Sequence, residues 1–196
     1  VYINTAGIGV LRQPGLSPRA IRPGDRVLVS GTVGDHGAAV MLARNQNLVQ
    51  GELKSDCAPL HRLSAALRQL GSDLRVLRDP TRGGVATTLC EFVEGTALSI
   101  LLEETDIPVR PAVASACDIL GLDPLYCANE GKLLAVVAPE RAEEALALLR
   151  GLPEGENAAV IGTVGEQWPG RVAVRTALGG TRIAAKLAGA QLPRIC

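Results

Sequence analysis

The chain has 196 residues with 20 basic and 20 acidic side chains, so its formal charge is zero. That balance argues against a nucleic-acid partner, which would need a basic surplus or stripe, and no apolar run approaches the roughly 20 residues of a membrane helix. Hydrophobic residues make up 47% but aromatics only 2%, so the core must be aliphatic, a composition suited to helices packed closely on a sheet.

The chain opens Val1-Tyr2-Ile3-Asn4-Thr5-Ala6-Gly7, without a Met, and reads as a strand from its first residue. A piece cut from the middle of a longer protein is the expectation, with removal of an initiator Met before Val1 as the alternative. After the Pro23-Gly24 turn, Val27-Leu28-Val29 reads as a buried strand. The glycine-rich loop Gly31 to Gly37 leads into a short helix through Ala38–Arg44. A polar stretch follows. Ser55 and Asp56 are residue types that cap helices, and Leu60, Leu63, Leu67 and Leu70 then recur at helical spacing up to Gly71. Val76-Leu77 predicts a strand, residues 85–94 a helix, and Leu98–Leu102 another strand.

Pro111 opens a helix closed by Gly121, Leu133–Val137 is an apolar strand, and Pro139 starts a helix running to Arg150. Its acidic residues come early and its Arg last, as the helix dipole favours. The last predicted strands are Ala159–Val164 and Val172–Val174, before Gly179-Gly180 breaks the chain. The expected fold class is α/β, of the α+β sandwich kind: helices packed on a mixed β-sheet. Residues 1–20 are expected to be a linking segment, 21–178 the domain, and 179–196 a flexible tail.

Five cysteines, Cys57, Cys90, Cys117, Cys127 and Cys196, are scattered without a C-x-x-C pair. A structural zinc site or a disulfide framework is therefore not expected, and a reducing, cytoplasmic compartment is. His36 and His61 have no second His or Cys at ligand spacing, and the spacing favours a turn residue for the first and an exposed helix residue for the second.

Three segments have residues suited to chemistry. In Asp79-Pro80-Thr81-Arg82-Gly83-Gly84 a strand delivers a carboxylate, and two glycines open a helix. Free N–H groups at a helix start attract phosphate, and Asp79 is a candidate ligand for a hard cation such as Mg²⁺. A strand-to-helix turn needing Pro and Gly for geometry alone is the alternative. Asn129-Glu130-Gly131 places a carboxylate at the mouth of a strand, where a general base would sit, although spacing alone favours a surface turn.

The third segment is the terminus, Leu192-Pro193-Arg194-Ile195-Cys196. The eight residues from Gly189 can span about 26 Å when extended, so a thiol at the end could visit two sites. Burying Leu192 and Ile195 is worth about 1.5–3 kcal/mol each. Ordering the backbone costs about 1–2 kcal/mol per residue, which predicts a mobile tail with an accessible Cys196. An accidental end residue is the alternative.

The order of these segments, with the Gly34-Asp35-His36-Gly37 loop before them and Pro193-Arg194-Ile195-Cys196 at the end, resembles the HypE family of hydrogenase maturation proteins. That family shares a superfamily with aminoimidazole ribonucleotide synthetase and selenophosphate synthetase. The resemblance covers essentially the whole chain, and the terminal Pro-Arg-Ile-Cys selects HypE among the superfamily. It implies an AIR-synthase-related C-terminal domain acting in a carbamoyl dehydratase, in which HypF loads a carbamoyl group onto Cys196. ATP-dependent dehydration then gives a thiocyanate, whose cyanide goes to iron on a HypC–HypD complex.

By the same resemblance Glu130 is the candidate base, and Asp79, Thr81, Arg82, Gly83, Gly84 and Asn129 the candidate nucleotide contacts, with Asp79 toward Mg²⁺. The family's N-terminal half supplies most nucleotide ligands and the homodimer contact, so this chain alone is expected to be monomeric and inactive. The alternatives are another ATP-dependent enzyme of the superfamily or a non-catalytic, thiol-bearing docking module.

Overall fold

Val27, Leu28 and Val29 are all buried, because β1 (Arg26–Val29) runs through the middle of a sheet covered on both faces. Such strands read as continuous apolar runs rather than alternating ones. The computed structural model describes residues 3–11, 13–44 and 53–187. Among them the elements in chain order are β1, α1 (Asp35–Arg44), α2 (His61–Leu67), β2 (Leu74–Arg78), α3 (Gly84–Val93), β3 (Ser99–Glu103), α4 (Pro111–Leu120), β4 (Leu134–Val137), α5 (Ala142–Arg150), β5 (Ala159–Gly165), β6 (Val172–Arg175) and β7 (Thr181–Ala184).

The strands form one seven-stranded sheet in the order β2-β4-β1-β5-β3-β6-β7. It is mixed: β3 and β6 are parallel, and the other pairs are antiparallel. The expected α/β class, helices on a mixed sheet, is the observed one. Strand side chains alternate between two cores. Val27, Val29, Leu134 and Val136 meet α3 through Val85, Leu89, Phe92 and Val93. Leu28, Ala135 and Val137 meet α2 and α5 through Leu63, Leu67, Ala145 and Leu149. A smaller cluster of Ala38, Val113, Cys117 and Cys127 joins α1 to α4.

Three expectations change. Residues 3–11 form no strand, and Ile3, Ile8, Val10 and Leu11 are exposed, since no neighbouring strand pairs with them. Ser55 and Asp56 cap no helix; α2 starts at His61 with Leu60 before it, and Asp56 has other partners. Beyond Gly179-Gly180 the sheet continues, as Thr181–Ala184 pairs with β6. This edge strand buries only Ala184, whose carbonyl accepts from the Cys90 thiol at 3.3 Å, so its sequence has little apolar signal.

Leu67 is fully buried between α2 and the sheet. Leu67→Ala should therefore lower the unfolding free energy by about 2–5 kcal/mol, read from urea denaturation.

Candidate functional site

Leu134 pairs with Val29, the last residue of β1, and with Arg78, the last residue of β2. The antiparallel register therefore brings the loop after β1, the loop after β2 and the loop before β4 to one end of the sheet. These are the Gly34 loop, the Asp79–Gly84 segment and the Asn129–Gly131 segment, which lie far apart in sequence.

Asn129 ties the three together. It is fully buried. Its Oδ1 accepts from the Gly34 N–H at 2.8 Å, and its Nδ2 donates to the carbonyls of Pro80 and Cys127, each at 3.1 Å. Its own N–H donates to the Pro80 carbonyl at 3.1 Å. Both amide hydrogens are thus used within the protein, and the side chain acts as a brace between loops rather than an open ligand group. Nearby, the Ser30 N–H donates to the Leu133 carbonyl, and the Leu133 N–H donates to the Ser30 hydroxyl, both at 3.0 Å.

Gly84 lies against the same loop. Its φ is +63°, and a Cβ there would stand 2.4 Å from the Leu125 carbonyl oxygen and 2.6 Å from that of Cys127. The close approach this glycine permits is to the protein's own backbone. Gly83, at the start of α3, also has positive φ. Thr81 is half-buried, and its carbonyl accepts from the Gly84 N–H. Arg82 is exposed.

Asp79 faces outward, 56% exposed, with Arg78 Nε 3.6 Å from its carboxylate. Among the described residues no group of three or more His, Cys, Asp or Glu side chains could hold a metal ion. Asp79 nevertheless fits a Mg²⁺ ion, which takes one or two carboxylates and completes its shell with water and phosphate oxygens.

Glu130 is half-buried. Its backbone N–H donates to Asp56 Oδ1 at 3.0 Å. Lys132, two residues on, places Nζ 3.3 Å from Asp56 Oδ2. Asp56 and Lys132 line a polar cavity of about 230 Å³ with Thr32, Cys57 and Arg110. Arg110 Nε also stands 3.4 Å from Asp35, a buried carboxylate in the first turn of α1 that accepts from the Thr32 hydroxyl.

His36 lies in the first turn of α1 and meets the Ser55 hydroxyl through Nδ1 at 2.8 Å. His61 is exposed at the start of α2. Cys127 and Cys117 are buried with their sulfurs 3.9 Å apart. That contact, with burial, pushes the Cys127 thiol above the usual range, so it stays protonated. Cys196 lies outside the described residues.

Sequence reasoning missed Asp56, Lys132, Thr32 and Arg110. Lys132 did leave a signal: it is a single cation between Gly131 and the apolar run Leu133–Val137. A charge in such a position is buried only with a partner.

This sheet, with its loops gathered at one end, is the AIR-synthase type of domain. The family described as AIR synthase related protein, C-terminal domain, matches residues 22–175, and the chain belongs to it. Among its relatives, the carbamoyl dehydratase HypE of Bradyrhizobium diazoefficiens is 50% identical across all of this chain and 57% of that protein. The chain thus spans a little over half the length of that relative.

Among solved structures, the hydrogenase maturation protein HypE in complex with ATP superposes with a TM-score of 0.84 at 48% identity, covering 92% of this chain and 55% of that one. A HypE–HypF complex superposes with a TM-score of 0.82 at 43% identity, covering 86% and 55%. No helix among the described residues is long and apolar enough to cross a membrane.

Replacing Asn129 with Ala should destabilise the domain by about 1–3 kcal/mol for each buried group left unpaired, the Gly34 N–H first. Thermal unfolding of the variant checks this.

Proposed function

We propose that the chain is the part of a carbamoyl dehydratase that presents Glu130 as proton acceptor to a carbamoyl group held on Cys196. The observation that carries this reading is the 50% identity, over the whole chain, to a protein of that name. HypF is the carbamoyl donor, in keeping with the solved HypE–HypF complex. A HypC–HypD complex is the cyanide acceptor for the nickel–iron hydrogenase, and the complete protein is a homodimer in the cytoplasm.

The amide oxygen of a thiocarboxamide is a poor leaving group until it is phosphorylated, and ATP supplies that phosphoryl group. Phosphorylation leaves an imidate, its first N–H proton passing to water, and the second proton leaves as the carbon–oxygen bond breaks, the oxygen departing with phosphate and a carbon–nitrogen triple bond forming. Glu130 takes a proton from that nitrogen. Its half-buried place beside the braced loops suits a base that must be held still while a carbamoyl group is brought to it.

Asp79, exposed at the end of β2, would hold Mg²⁺ from one side. An ion held there would supply positive charge for the phosphate oxygens. Thr81, Arg82, Gly83 and Gly84 flank the nucleotide, and Asn129 holds their loop against that of Glu130. The remainder of the complete protein supplies the other nucleotide ligands, so this chain alone binds ATP weakly.

The test is Glu130→Gln in the complete protein, which keeps size and hydrogen bonding but removes basicity. Carbamoylation of Cys196 should proceed normally, while thiocyanate formation slows by about 10²–10⁴-fold. Thiocyanate formation at the unaltered rate would exclude Glu130 as the base.

A further inference from the structure

Three consecutive residues close on Asp56, two of them on its side chain and one on its backbone. The Glu130 N–H donates to Asp56 Oδ1 at 3.0 Å. At Gly131 a Cβ would lie 1.6 Å from the backbone oxygen of Asp56, so only glycine lets the two segments touch. The Lys132 ammonium stands 3.3 Å from Asp56 Oδ2. The Asp56 side chain is 2% exposed and that of Lys132 10%. The segment holding Asp56 is itself tied down, since Ser55 meets His36 of α1 at 2.8 Å and accepts from the Cys57 N–H at 3.2 Å.

A buried ion pair adds little stability compared with an apolar pair of the same volume, because desolvation offsets the attraction. What it adds here is registry: a carboxylate with one oxygen on a backbone N–H and the other at an ammonium accepts only one placement of the chain between them. Glu130 lies at the end of that constraint.

We infer that Asp56, with Lys132 as its counter-charge, is a positioning residue that fixes the backbone of Glu130 and so aims its carboxylate at the reacting nitrogen. This rests on the reading of Glu130 as the base. A misplacement of about 1 Å can cost on the order of 10²-fold in rate, so the anchor has a kinetic consequence distinct from folding.

The experiment uses the complete protein, preloaded with carbamoyl on Cys196, in single turnover with ATP. Four variants are compared with the unaltered protein: Asp56→Ala, Asp56→Asn, Glu130→Gln, and Asp56→Ala combined with Glu130→Gln. Asp56→Ala should lower the dehydration rate constant by about 10–100-fold, the range for removing a supporting hydrogen bond, with unchanged amplitude and ATP affinity. Asp56→Asn should recover part of the rate, because its amide oxygen can still accept from the Glu130 N–H, and it serves as the test if the Ala variant does not fold.

The double variant should be no slower than Glu130→Gln alone, because the anchor has nothing left to aim. The inference is overturned if Asp56→Ala reacts at the unaltered rate, or loses amplitude with its rate constant intact. It is also overturned if the two losses multiply in the double variant. Unaltered dehydration by Glu130→Gln overturns the base reading and this inference together, whereas a slow Glu130→Gln beside a fast Asp56→Ala overturns this inference alone.

Discussion

The candidate site depends on a fully buried amide. The Asn129 side chain bonds to Gly34, Pro80 and Cys127, backbone groups on three loops that leave one end of the sheet. Those loops are neighbours because Leu134 of β4 pairs with the last residues of both β1 and β2. Strand pairing sets the neighbourhood to within a few ångströms, and the amide then selects one arrangement. Without it, the Gly34 N–H and the Cys127 carbonyl would each lose the partner that the side chain provides, at the cost of leaving buried polar groups unpaired.

The constraint passes outward from there. Pro80, held by Asn129, fixes the exit of β2 and hence Asp79. Gly84 seats the start of α3 against the Leu125 and Cys127 carbonyls, where no side chain would fit. On the other side, Asp56 and Lys132 fasten the residues that follow Asn129 to the segment before α2. The two candidate carboxylates, Glu130 and Asp79, differ accordingly. Glu130 is half-buried on a braced backbone, and Asp79 stands in solvent beside Arg78, suited to sharing a cation with water and phosphate.

The sheet was legible in the sequence wherever both faces are covered. Val27–Val29 and Leu134–Val137 are uninterrupted apolar runs for that reason. β7 was not legible, because an edge strand with one buried residue carries no such run. Nor was the exposure of residues 3–11, whose apolar side chains read as a strand without revealing that no neighbour pairs with them. The motifs at Asp79–Gly84 and Asn129–Gly131 were visible as residue types, but their roles were not. That Asn129 serves as a brace follows only from contacts spanning 95 and 49 residues. Asp56 misled for a related reason: a residue type that often caps helices instead reaches 74 residues along the chain to Glu130.

The proposal to be tested is that this domain serves a reaction performed on the thiol of its own Cys196. The most direct measurement is the intact mass of the complete protein after incubation with HypF, carbamoyl phosphate and ATP, with a Cys196→Ala variant alongside. The account predicts the gain of one carbamoyl group followed by the loss of one water, with both changes on the peptide ending in Cys196 and neither in the variant. ATP consumption with no change of mass at Cys196, or the same mass changes in the variant, would contradict it.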